Sequence, residues 1–360
     1  MTTSHIIGNG SLVAHAFNAD LNEMAVSLNT SDVYVLAVAK NPNEKFKVLS
    51  VLSDHTGLVT GIDWAKKTDN LVTCSSDRNA YVWYRTSEKE WKPILVVLNL
   101  QRAVTCVRWS PNETKFAAGS SSKILAVASF EKEFNFWTAK QIKKSIRSTI
   151  TCLDWHPEGA LVACGSTDFK ARIFYVEKEA NIATNWGTNT SFGLVVFDSS
   201  TGNGGWVHSI AFSEGGDKLV WVSHSSQVFV ADCSSGAPAV ISIKSQTLPF
   251  TACLWVDQNS ILVAGHDCAP YVFSYDGKSL STGKMLSQES GSNTGAMSKI
   301  SAMRLFQDID RTATTEKTGS KLTTIHQNTI REIRSLNKRN YSTIGSDGLL
   351  VFWDLDRLLN

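Results

Sequence analysis

The chain has 360 residues, and its 35 Lys and Arg side chains nearly balance 33 Asp and Glu, giving a net charge of +2. That balance supplies no broad electrostatic attraction for nucleic acid or acidic lipid, so we expect neither nucleic acid nor a membrane as a partner. Hydrophobic residues make up 42% of the sequence and no proline-rich linker divides it, which predicts one large globular domain over residues 1–360.

The sequence indicates neither a membrane segment nor a disulfide framework. No apolar run approaches the ~18 residues of a membrane span, and the N-terminus lacks the basic start and apolar stretch of a signal peptide. The seven cysteines form no Cys-x-x-Cys pair, and most lie in apolar runs. We therefore expect free thiols, no structural zinc and a cytoplasmic location.

A six-residue string of the form apolar-x-x-apolar-x-aromatic recurs along the chain, with five clear copies and two weaker ones. Most spacings lie within a few residues of the ~40 to 45 that are typical of WD repeats, whereas the last spacing is much longer. The copies are Leu12–Phe17, Val59–Trp64, Val104–Trp109, Ile150–Trp155, Val207–Phe212, Phe250–Trp255 and Ile330–Ser335.

Short strands bounded by turn residues follow each copy, as in Leu71–Ser75 and Ala80–Trp83. Helical periodicity is almost absent, so the expected fold class is all-β. An isolated four-stranded sheet would leave its aromatic residues exposed, and stacking such sheets around an axis buries them between neighbours. The sequence therefore predicts a seven-bladed WD-repeat β-propeller.

The two ends of the chain predict how the ring closes. Only seven residues follow Trp353, too few for a loop and a fourth strand, whereas Ser4–Ile7 precede the first repeat without a partner of their own. We expect the N-terminal strand to complete the last blade, so that the ring has no open β edge at its seam.

In two sets of four residues, a His stands four residues before the repeat string, an Asp four residues after a Thr, and a Trp six residues after that Asp. A His/Asp/Thr set invites a catalytic interpretation. The sets are His55, Thr73, Asp77 and Trp83, and His326, Thr343, Asp347 and Trp353. WD blades use such a tetrad as a buried hydrogen-bond relay that joins a turn, two strands and a loop. Other repeats fill the acid position only in part: Asp168 and Asp267 keep it, and Ser121 and Ser225 replace it. We therefore expect structural tetrads and no catalytic residue.

The sequence carries no motif for a metal ion or a cofactor. His156 and His266 lack a second His or Cys at ligand spacing, and phosphate-binding Gly-rich loops and the Gly-x-Ser-x-Gly turn are missing. The loops expected at the central channel, such as Ser75-Ser76 and Gly119-Ser120, are small and neutral. We expect no enzymatic activity, no metal and no cofactor.

The densest basic cluster lies between the third and fourth repeats and contains Lys143, Lys144 and Arg147. Trp137 precedes it, and cations beside aromatic side chains are typical of protein interfaces. A second candidate is Trp186, in an insertion that lengthens the following spacing. We interpret these five residues as candidate partner-binding residues; the alternative for the basic ones is a solvated loop.

The largest departure from the repeat period is the insertion 287–324, which is rich in Ser, Thr, Gly and charged residues. Loops of that length in compact domains are usually functional or disordered. Apolar residues at helical spacing predict a short amphipathic helix over about 296–309 inside it. Its apolar face consists of Ala302, Leu305, Phe306 and Ile309. This face either packs on the propeller rim or binds a partner, and the flanking polar tethers favour the partner.

Six segments along nearly the whole chain carry a resemblance to a known family. They are His55–Trp64, Asp77–Trp83, Ile142–Ser148, Gly205–His208, Trp221–His224 and Ala264–Cys268. The insertion adds the pattern Arg304-x-Phe306-Gln307-x-x-Asp310. Together they closely resemble WD-repeat subunit 1 of the actin-related protein 2/3 complex, the assembly that nucleates branched actin filaments.

The resemblance implies a non-catalytic scaffold subunit in the cytoplasm, at the actin cytoskeleton. Its partners would be the other subunits of the complex, among them small helical subunits and the actin-related proteins, and nucleation-promoting factors are further candidates. The inserted helix would contact the side of an existing, or mother, actin filament. ATP would belong to the actin-related subunits and not to this chain.

A WD-repeat adaptor of another multiprotein assembly is the alternative function. An adaptor for chromatin or for a ubiquitin ligase would favour a strongly acidic or basic top face, and the near-neutral charge argues against it. An enzyme, in turn, would need titratable groups that converge at the central channel.

Overall fold

The computed structural model describes residues 2–39, 44–133, 136–177, 184–187, 191–202, 205–286 and 322–356. This part of the chain is all-β and forms a seven-bladed propeller in which every blade is a four-stranded antiparallel sheet. Both the fold class and the number of blades confirm the prediction from the repeats. The predicted helix 296–309, with Ala302, Leu305, Phe306 and Ile309, lies outside the described residues.

The first strand of the chain, β1 (Thr3–Ile6), belongs to the last blade, and blades 1 to 3 then follow in chain order from the channel to the rim. Blade 1 contains β2 (Ala14–Phe17), β3 (Glu23–Ser27), β4 (Val33–Ala37) and β5 (Lys47–Leu52). Blade 2 contains β6 (Val59–Trp64), β7 (Leu71–Ser75), β8 (Ala80–Arg85) and β9 (Trp91–Val96). Blade 3 contains β10 (Val104–Trp109), β11 (Lys115–Ser120), β12 (Leu125–Glu131) and β13 (Phe136–Ile142).

Blades 4 to 6 repeat this order, and each again begins with a repeat string as its innermost strand. Blade 4 contains β14 (Ile150–Trp155), β15 (Leu161–Ser166), β16 (Lys170–Tyr175) and β17 (Val195–Ser200). Blade 5 contains β18 (Val207–Phe212), β19 (Lys218–Ser223), β20 (Gln227–Asp232) and β21 (Ala239–Lys244). Blade 6 contains β22 (Phe250–Trp255), β23 (Ser260–Gly265), β24 (Pro270–Ser274) and β25 (Lys284–Met285).

Blade 7 joins the two ends of the chain. Its three inner strands are β26 (Ile330–Ser335), β27 (Asn340–Gly345) and β28 (Leu349–Asp354). Its outermost strand is β1, which pairs antiparallel with β28 from Thr3 opposite Phe352 to Ile6 opposite Leu349. The predicted closure by the N-terminal strand is therefore confirmed.

The core is divided into seven hydrophobic clusters of described residues, one in each interface between neighbouring blades. The aromatic residue that ends a repeat string packs toward the preceding blade: Trp64 joins the cluster between blades 1 and 2, and Trp109 the one between blades 2 and 3. Both indoles are almost fully buried. Burying a large apolar side chain contributes about 1.5–3 kcal/mol, so each string stabilises two blades at once.

Hydrogen bonds between neighbouring innermost strands add to this packing. The Thr60 hydroxyl donates to the Val104 carbonyl at 2.7 Å, and the Thr105 hydroxyl donates to the Ile150 carbonyl at 2.6 Å. In each case the second residue of one string binds the first residue of the next. The same bond joins Thr151 to Val207 and Thr251 to Ile330.

Close approach of the blades also requires a small residue at the end of the second strand. A Cβ at Gly165 would lie 2.3 Å from the Val207 side chain of blade 5 and 2.6 Å from Cys152 Sγ. Neither distance is compatible with van der Waals contact, so glycine at this position permits the blades to pack.

We expect removal of residues 1–6 to lower the free energy of unfolding by about 2–4 kcal/mol, because it deletes a ladder of backbone hydrogen bonds that contribute about 0.5–1.5 kcal/mol each. It also exposes the edge of β28, so we expect self-association as well. Urea unfolding and light scattering measure both effects. Removal of residues 358–360, which lie beyond β28, is the control, and equal unfolding midpoints for the two truncations would contradict closure through β1.

Candidate partner-binding surface

The innermost strand of each blade begins at one face of the propeller, which we name the top face. Val59 at the start of β6 pairs with Ser75 at the end of β7, and the same register recurs in blades 3 to 5. The loop that enters a blade and the loop after its second strand therefore meet at the top face. The His and Asp of both tetrads and the basic cluster lie in these loops.

Hydrogen bonds join all four residues of the blade 2 tetrad. His55 Nδ1 lies 2.8 Å from Asp77 Oδ2, and His55 Nε2 lies 2.8 Å from Thr73 Oγ1. Trp83 Nε1 donates to the same Thr73 oxygen at 2.9 Å. The neutral His tautomer with its proton on Nδ1 satisfies every one of these groups, because Nε2 then accepts the Thr73 hydroxyl proton.

The blade 7 tetrad has the same geometry. His326 Nδ1 lies 3.1 Å from Asp347 Oδ2, and His326 Nε2 lies 2.8 Å from Thr343 Oγ1. Trp353 Nε1 donates to Thr343 Oγ1 at 2.8 Å. His326 and Thr343 are completely buried, so no substrate reaches the relay and its polar groups bind one another.

The ionisation of the relay follows from its hydrogen bonds. Burial alone would raise the pKa of the Asp77 carboxyl, but hydrogen bonds from the Asn79 N–H and from His55 outweigh burial and hold this pKa below its ordinary value. Burial lowers the pKa of His55, although Asp77 opposes that change. The relay therefore pairs an ionised carboxylate with a neutral imidazole at physiological pH.

Two blades without the His and Thr keep part of this arrangement. Asp168 Oδ2 accepts the backbone N–H of Arg147 at 3.0 Å, as Asp77 accepts that of Thr56 at 3.0 Å. In blade 6, Asp267 accepts the backbone N–H of Leu248 at 3.3 Å. The acid thus still fixes the incoming top-face loop where the rest of the tetrad is missing.

In blade 3 the residue that replaces the acid is Ser122, and the prediction of Ser121 is wrong by one position. Ser122 Oγ accepts the backbone N–H of Arg102 at 2.8 Å. In blade 2, Asp77 stands two residues after Ser75, the last residue of the second strand β7. The second strand of blade 3, β11, ends at Ser120, so the equivalent position is Ser122.

The predicted basic cluster is exposed at the top face. Lys143, Lys144 and Arg147 point to solvent from the loop between β13 and β14, while Ile142 and Ile146 of the same loop are buried. The loop is thereby fixed to the core. Three more exposed cations lie on top-face loops of blades 2 and 3, and we name the whole set the basic patch: Arg78, Arg102, Lys123, Lys143, Lys144 and Arg147.

Trp137 does not belong to the same surface as the basic cluster, so the expectation of one joint contact is wrong. It stands at the other end of β13, and six residues of extended strand place it ~20 Å from Lys143. Trp137 is half-buried, with its ring centroid 5.3 Å from that of Phe116. It also lines a cavity of about 570 Å³ between blades 2 and 3 at the bottom face, together with Tyr84 and Phe130. We name this cavity the bottom groove.

Trp186 is a core residue, and its prediction as a partner-binding residue is wrong. Its side chain is 5% exposed and packs between blades 4 and 5, with its ring centroid 5.2 Å from that of Phe197. Its Nε1 donates to the Gly216 carbonyl at 2.7 Å. The indole therefore fills an interface between blades, and it offers no surface to another protein.

The central channel is charged, which corrects the expectation of a small and neutral lining. Glu332 of β26 forms ion pairs with Arg108 of β10 at 3.0 Å and with Arg334 at 3.1 Å. Arg334 lies 2.9 Å from Asp63 of β6. These pairs cross the channel from blade 7 to blades 2 and 3, beside a cavity of about 360 Å³. The expectation was wrong because this cavity is lined by residues of the repeat strings. The top-face loops, on which the expectation was based, do not line it.

The channel charges share one position in the repeat. Asp63, Arg108, Asp154 and Arg334 are each the fifth residue of their string, a regularity that the sequence contains and that could have revealed them. Burial raises the pKa of Asp154 to about 6, against the effect of a hydrogen bond from the Phe212 N–H. Titratable groups thus converge at the channel, but most are held in ion pairs with one another.

No group of three or more His, Cys, Asp or Glu side chains in the described ranges is arranged to hold a metal ion. The same ranges contain no helix with the length and apolar character to cross a membrane. All seven cysteines are free, and burial raises the pKa of the Cys106 thiol to about 11, so this thiol stays protonated at neutral pH.

A closed ring of seven blades with His–Asp–Thr–Trp relays defines a WD-repeat propeller. In agreement, the sequence matches the family described as WD domain, G-beta repeat, at residues 46–84, 94–127 and 140–174.

The chain is also similar to whole proteins of one particular kind. It is 42% identical over 359 residues to actin-related protein 2/3 complex subunit 1A-B of Xenopus laevis, covering 96% of this chain and 95% of the relative. Subunit 1 of Schizosaccharomyces pombe is 34% identical, with 95% of this chain and 96% of the relative covered. Subunit 1 of Saccharomyces cerevisiae is 31% identical, with 96% and 94% covered. The chain belongs to the family of actin-related protein 2/3 complex subunit 1.

We expect Asp77→Ala to lower the free energy of unfolding by about 1–3 kcal/mol at neutral pH, because it leaves His55 and the backbone N–H groups of Thr56 and Asn79 without their acceptor. The pKa of Asp77 is lowered in the fold, so its contribution is present above the ordinary carboxyl pKa and is lost as the pH falls. Urea unfolding at neutral and acidic pH should therefore show the variant and the wild type converging in acid. Asp54→Ala, which removes an exposed acid from the loop that carries His55, is the control. Equal midpoints at neutral pH for Asp77→Ala and wild type would contradict the relay.

Glu332→Gln should lower the free energy of unfolding by about 3–5 kcal/mol, because it removes the counter-charge of Arg108 and one of the two counter-charges of Arg334. Chemical denaturation measures the change, and the exposed Glu88→Gln provides the comparison. If both variants unfolded like the wild type, the ion pairs across the channel would not contribute to stability.

Proposed function

We propose that this chain is a non-catalytic scaffold subunit of the actin-related protein 2/3 complex, in the cytoplasm at the actin cytoskeleton. The observation that carries the proposal is the similarity, over about 95% of the chain, to proteins that are named as subunit 1 of that complex. The fold supports a scaffold role, since a closed ring of short blades presents rigid surfaces on its top face, its bottom face and its rim.

The basic patch supports contacts with acidic segments of partner proteins. Its cations are exposed, and two exposed apolar side chains, Val97 and Phe169, lie on top-face loops of the same blades. Asp168, the acid nearest in sequence to Phe169, is held by Arg172 at 2.9 Å and does not neutralise the patch. Cations around apolar anchors are typical of protein interfaces. Nucleation-promoting factors and neighbouring subunits of the complex are the candidate partners of this surface.

The bottom groove supports the docking of a helical partner subunit. Its walls combine apolar and aromatic side chains with a charged rim, since Tyr84, Phe130 and Trp137 lie beside Glu113 and Lys132. An amphipathic helix buries its apolar face in grooves of this kind, and polar residues at the edge fix its orientation.

The inserted helix is proposed to contact the mother actin filament. Its predicted apolar face includes Leu305 and Phe306, and polar stretches on both sides separate it from the sixth and seventh repeats. A tethered apolar face of this size suits a contact outside the propeller, because one aromatic anchor can carry ~2 kcal/mol or more of an interface.

The chemistry of the described residues supports a role without catalysis. The tetrad imidazoles are buried and bound to Asp and Thr, and Arg108 and Arg334 of the channel are paired with acids. We therefore propose that the actin-related subunits bind ATP and that this chain binds partner proteins.

We expect Phe306→Ala to leave the fold and the assembly intact and to lower the rate of filament branching. If the helix were part of the core, the truncation would instead cost about 3–5 kcal/mol of stability. The measurements are the melting temperature of the isolated chain, co-purification of the actin-related proteins with the tagged chain, and the branching rate of the reconstituted complex.

Met303→Ala is the matched control, since it truncates an apolar residue outside the predicted apolar face. A wild-type chain that recovers no actin-related protein would refute the scaffold proposal and favour an adaptor of another assembly. If Phe306→Ala instead lowered the melting temperature strongly and left branching normal, the helix would be part of the propeller core. That result would not contradict the scaffold proposal.

A further inference from the structure

Three histidines, a tryptophan and an arginine meet where the channel opens at the top face. Trp206 and His208 lie at the start of β18, His224 follows β19, His266 follows β23, and Arg331 is the second residue of β26. The group thus unites blades 5, 6 and 7, and His208 and Arg331 line the central cavity. We name these five residues the histidine cluster.

The aromatic side chains of the histidine cluster contact one another, and Arg331 lies near them at the cavity wall. His208 Nε2 lies 2.9 Å from His224 Nδ1, and the ring centroids of His224 and His266 are 6.4 Å apart. The indole of Trp206 lies 5.7 Å from the His224 ring and is 49% exposed. His266 Nδ1 is bound to the Thr329 hydroxyl at 2.9 Å, so its Nε2 remains available for a ligand.

The cluster has an excess of potential positive charge. Burial, together with the nearby His224, His266 and Arg331, lowers the pKa of His208 to about 4. Burial also lowers the pKa of His266, and His224 and Arg331 act in the same direction. Positively charged neighbours disfavour protonation of an imidazole, and an anion among them would relieve this repulsion.

Little negative charge in the described residues compensates the cluster. Asp267 faces His266 and raises its pKa, but its carboxylate already accepts the Leu248 N–H at 3.3 Å and the Tyr271 hydroxyl at 3.2 Å. Arg331 is exposed and forms no ion pair with any residue that the structure describes. An exposed indole and an unpaired guanidinium contribute little to stability, so packing does not account for this arrangement.

Four of these five residues belong to the segments on which the family resemblance rests. Trp206, His208, His224 and His266 all lie in segments that carry the family resemblance, namely Gly205–His208, Trp221–His224 and Ala264–Cys268. The proposed scaffold function uses the basic patch, the bottom groove and the inserted helix, and it leaves these histidines without a role.

We propose that the histidine cluster binds a doubly charged oxyanion of the phosphoryl type at the mouth of the channel. The guanidinium of Arg331 can donate two parallel N–H bonds to two oxygens of such a group. The free ring nitrogens of His224 and His266 can donate further hydrogen bonds, and protonation of His266 adds a positive charge. A phosphate monoester carries three terminal oxygens and nearly two negative charges, which matches a site with several cationic donors better than a carboxylate does.

The anion has two candidate sources, a free phosphate ion and a phosphorylated side chain of a partner. Both present the same oxygens to the cluster, and both bind the protonated imidazoles in preference to the neutral ones. Affinity should therefore rise as the pH falls through the imidazole range.

The test uses the full chain with ¹⁵N-labelled histidine, whose imidazole signals are followed by NMR during titration with sulfate. Sulfate stays doubly charged throughout, so any pH dependence of its binding reports the imidazoles. We expect saturable shifts confined to His208, His224 and His266, with tighter binding at about pH 5.5 than at about pH 7.5, because the pKa of His266 is lowered in the fold. Inorganic phosphate and a phosphoserine peptide, titrated at constant ionic strength, distinguish the free ion from the modified side chain.

Arg331→Gln and His224→Gln should each weaken sulfate binding by roughly tenfold, because each removes a charge-assisted hydrogen bond. Both residues are exposed, so both variants should fold, and circular dichroism verifies this. Arg339→Gln, which replaces an exposed arginine of the loop between β26 and β27, outside the basic patch, should bind sulfate like the wild type. Equal affinity in all the variants, shifts that do not saturate, or tighter binding of succinate than of sulfate would overturn the proposal. None of these outcomes bears on the scaffold function, which co-purification tests separately.

Discussion

The pairing of β1 with β28 is the contact on which the rest of the ring depends. Each of the seven hydrophobic clusters lies between two blades, so every blade is buried only if it has a neighbour on both sides. Without the seam, blades 1 and 7 would each expose an apolar face. The short repeat strings then hold the remaining interfaces, with an aromatic residue packed backward onto one blade and a threonine hydroxyl bound forward to the next. A segment of four residues at one end of the chain thus completes a structure made by all the others.

The features of the fold that could be predicted are those that short segments of the sequence determine by themselves. Each repeat string predicts its own innermost strand, and the spacing of His55, Thr73, Asp77 and Trp83 was sufficient to indicate a relay. The ion pairs across the channel were missed because they join residues that are distant in sequence and lie on blades that are not neighbours. Their signal, a charge at the fifth position of several strings, becomes meaningful only once the ring is closed.

The partner-binding residues show the same limit. Lys143, Lys144 and Arg147 were predicted at an exposed loop and lie on one. Trp137 was grouped with them because it is close in sequence. The two ends of an extended strand nevertheless lie at opposite faces of the propeller, and Trp137 and Lys143 stand at opposite ends of β13. Trp186 stands in an insertion of polar character, and nothing in its local pattern indicates that the indole folds back between two blades. The histidine cluster, in turn, is assembled from three blades, so only the ring brings its members together.

The ion pairs across the channel also have a mechanical consequence. In a ring held only by contacts between neighbours, a pull on one blade reaches the far side through each intervening blade in turn. Here Glu332 of blade 7 binds Arg108 of blade 3, and Arg334 of blade 7 binds Asp63 of blade 2. Both ion pairs cross the channel directly. The long insertion leaves the ring immediately before blade 7, so tension on that insertion would be distributed to three blades at once. The propeller should therefore resist distortion by a force that is applied at one point of its circumference.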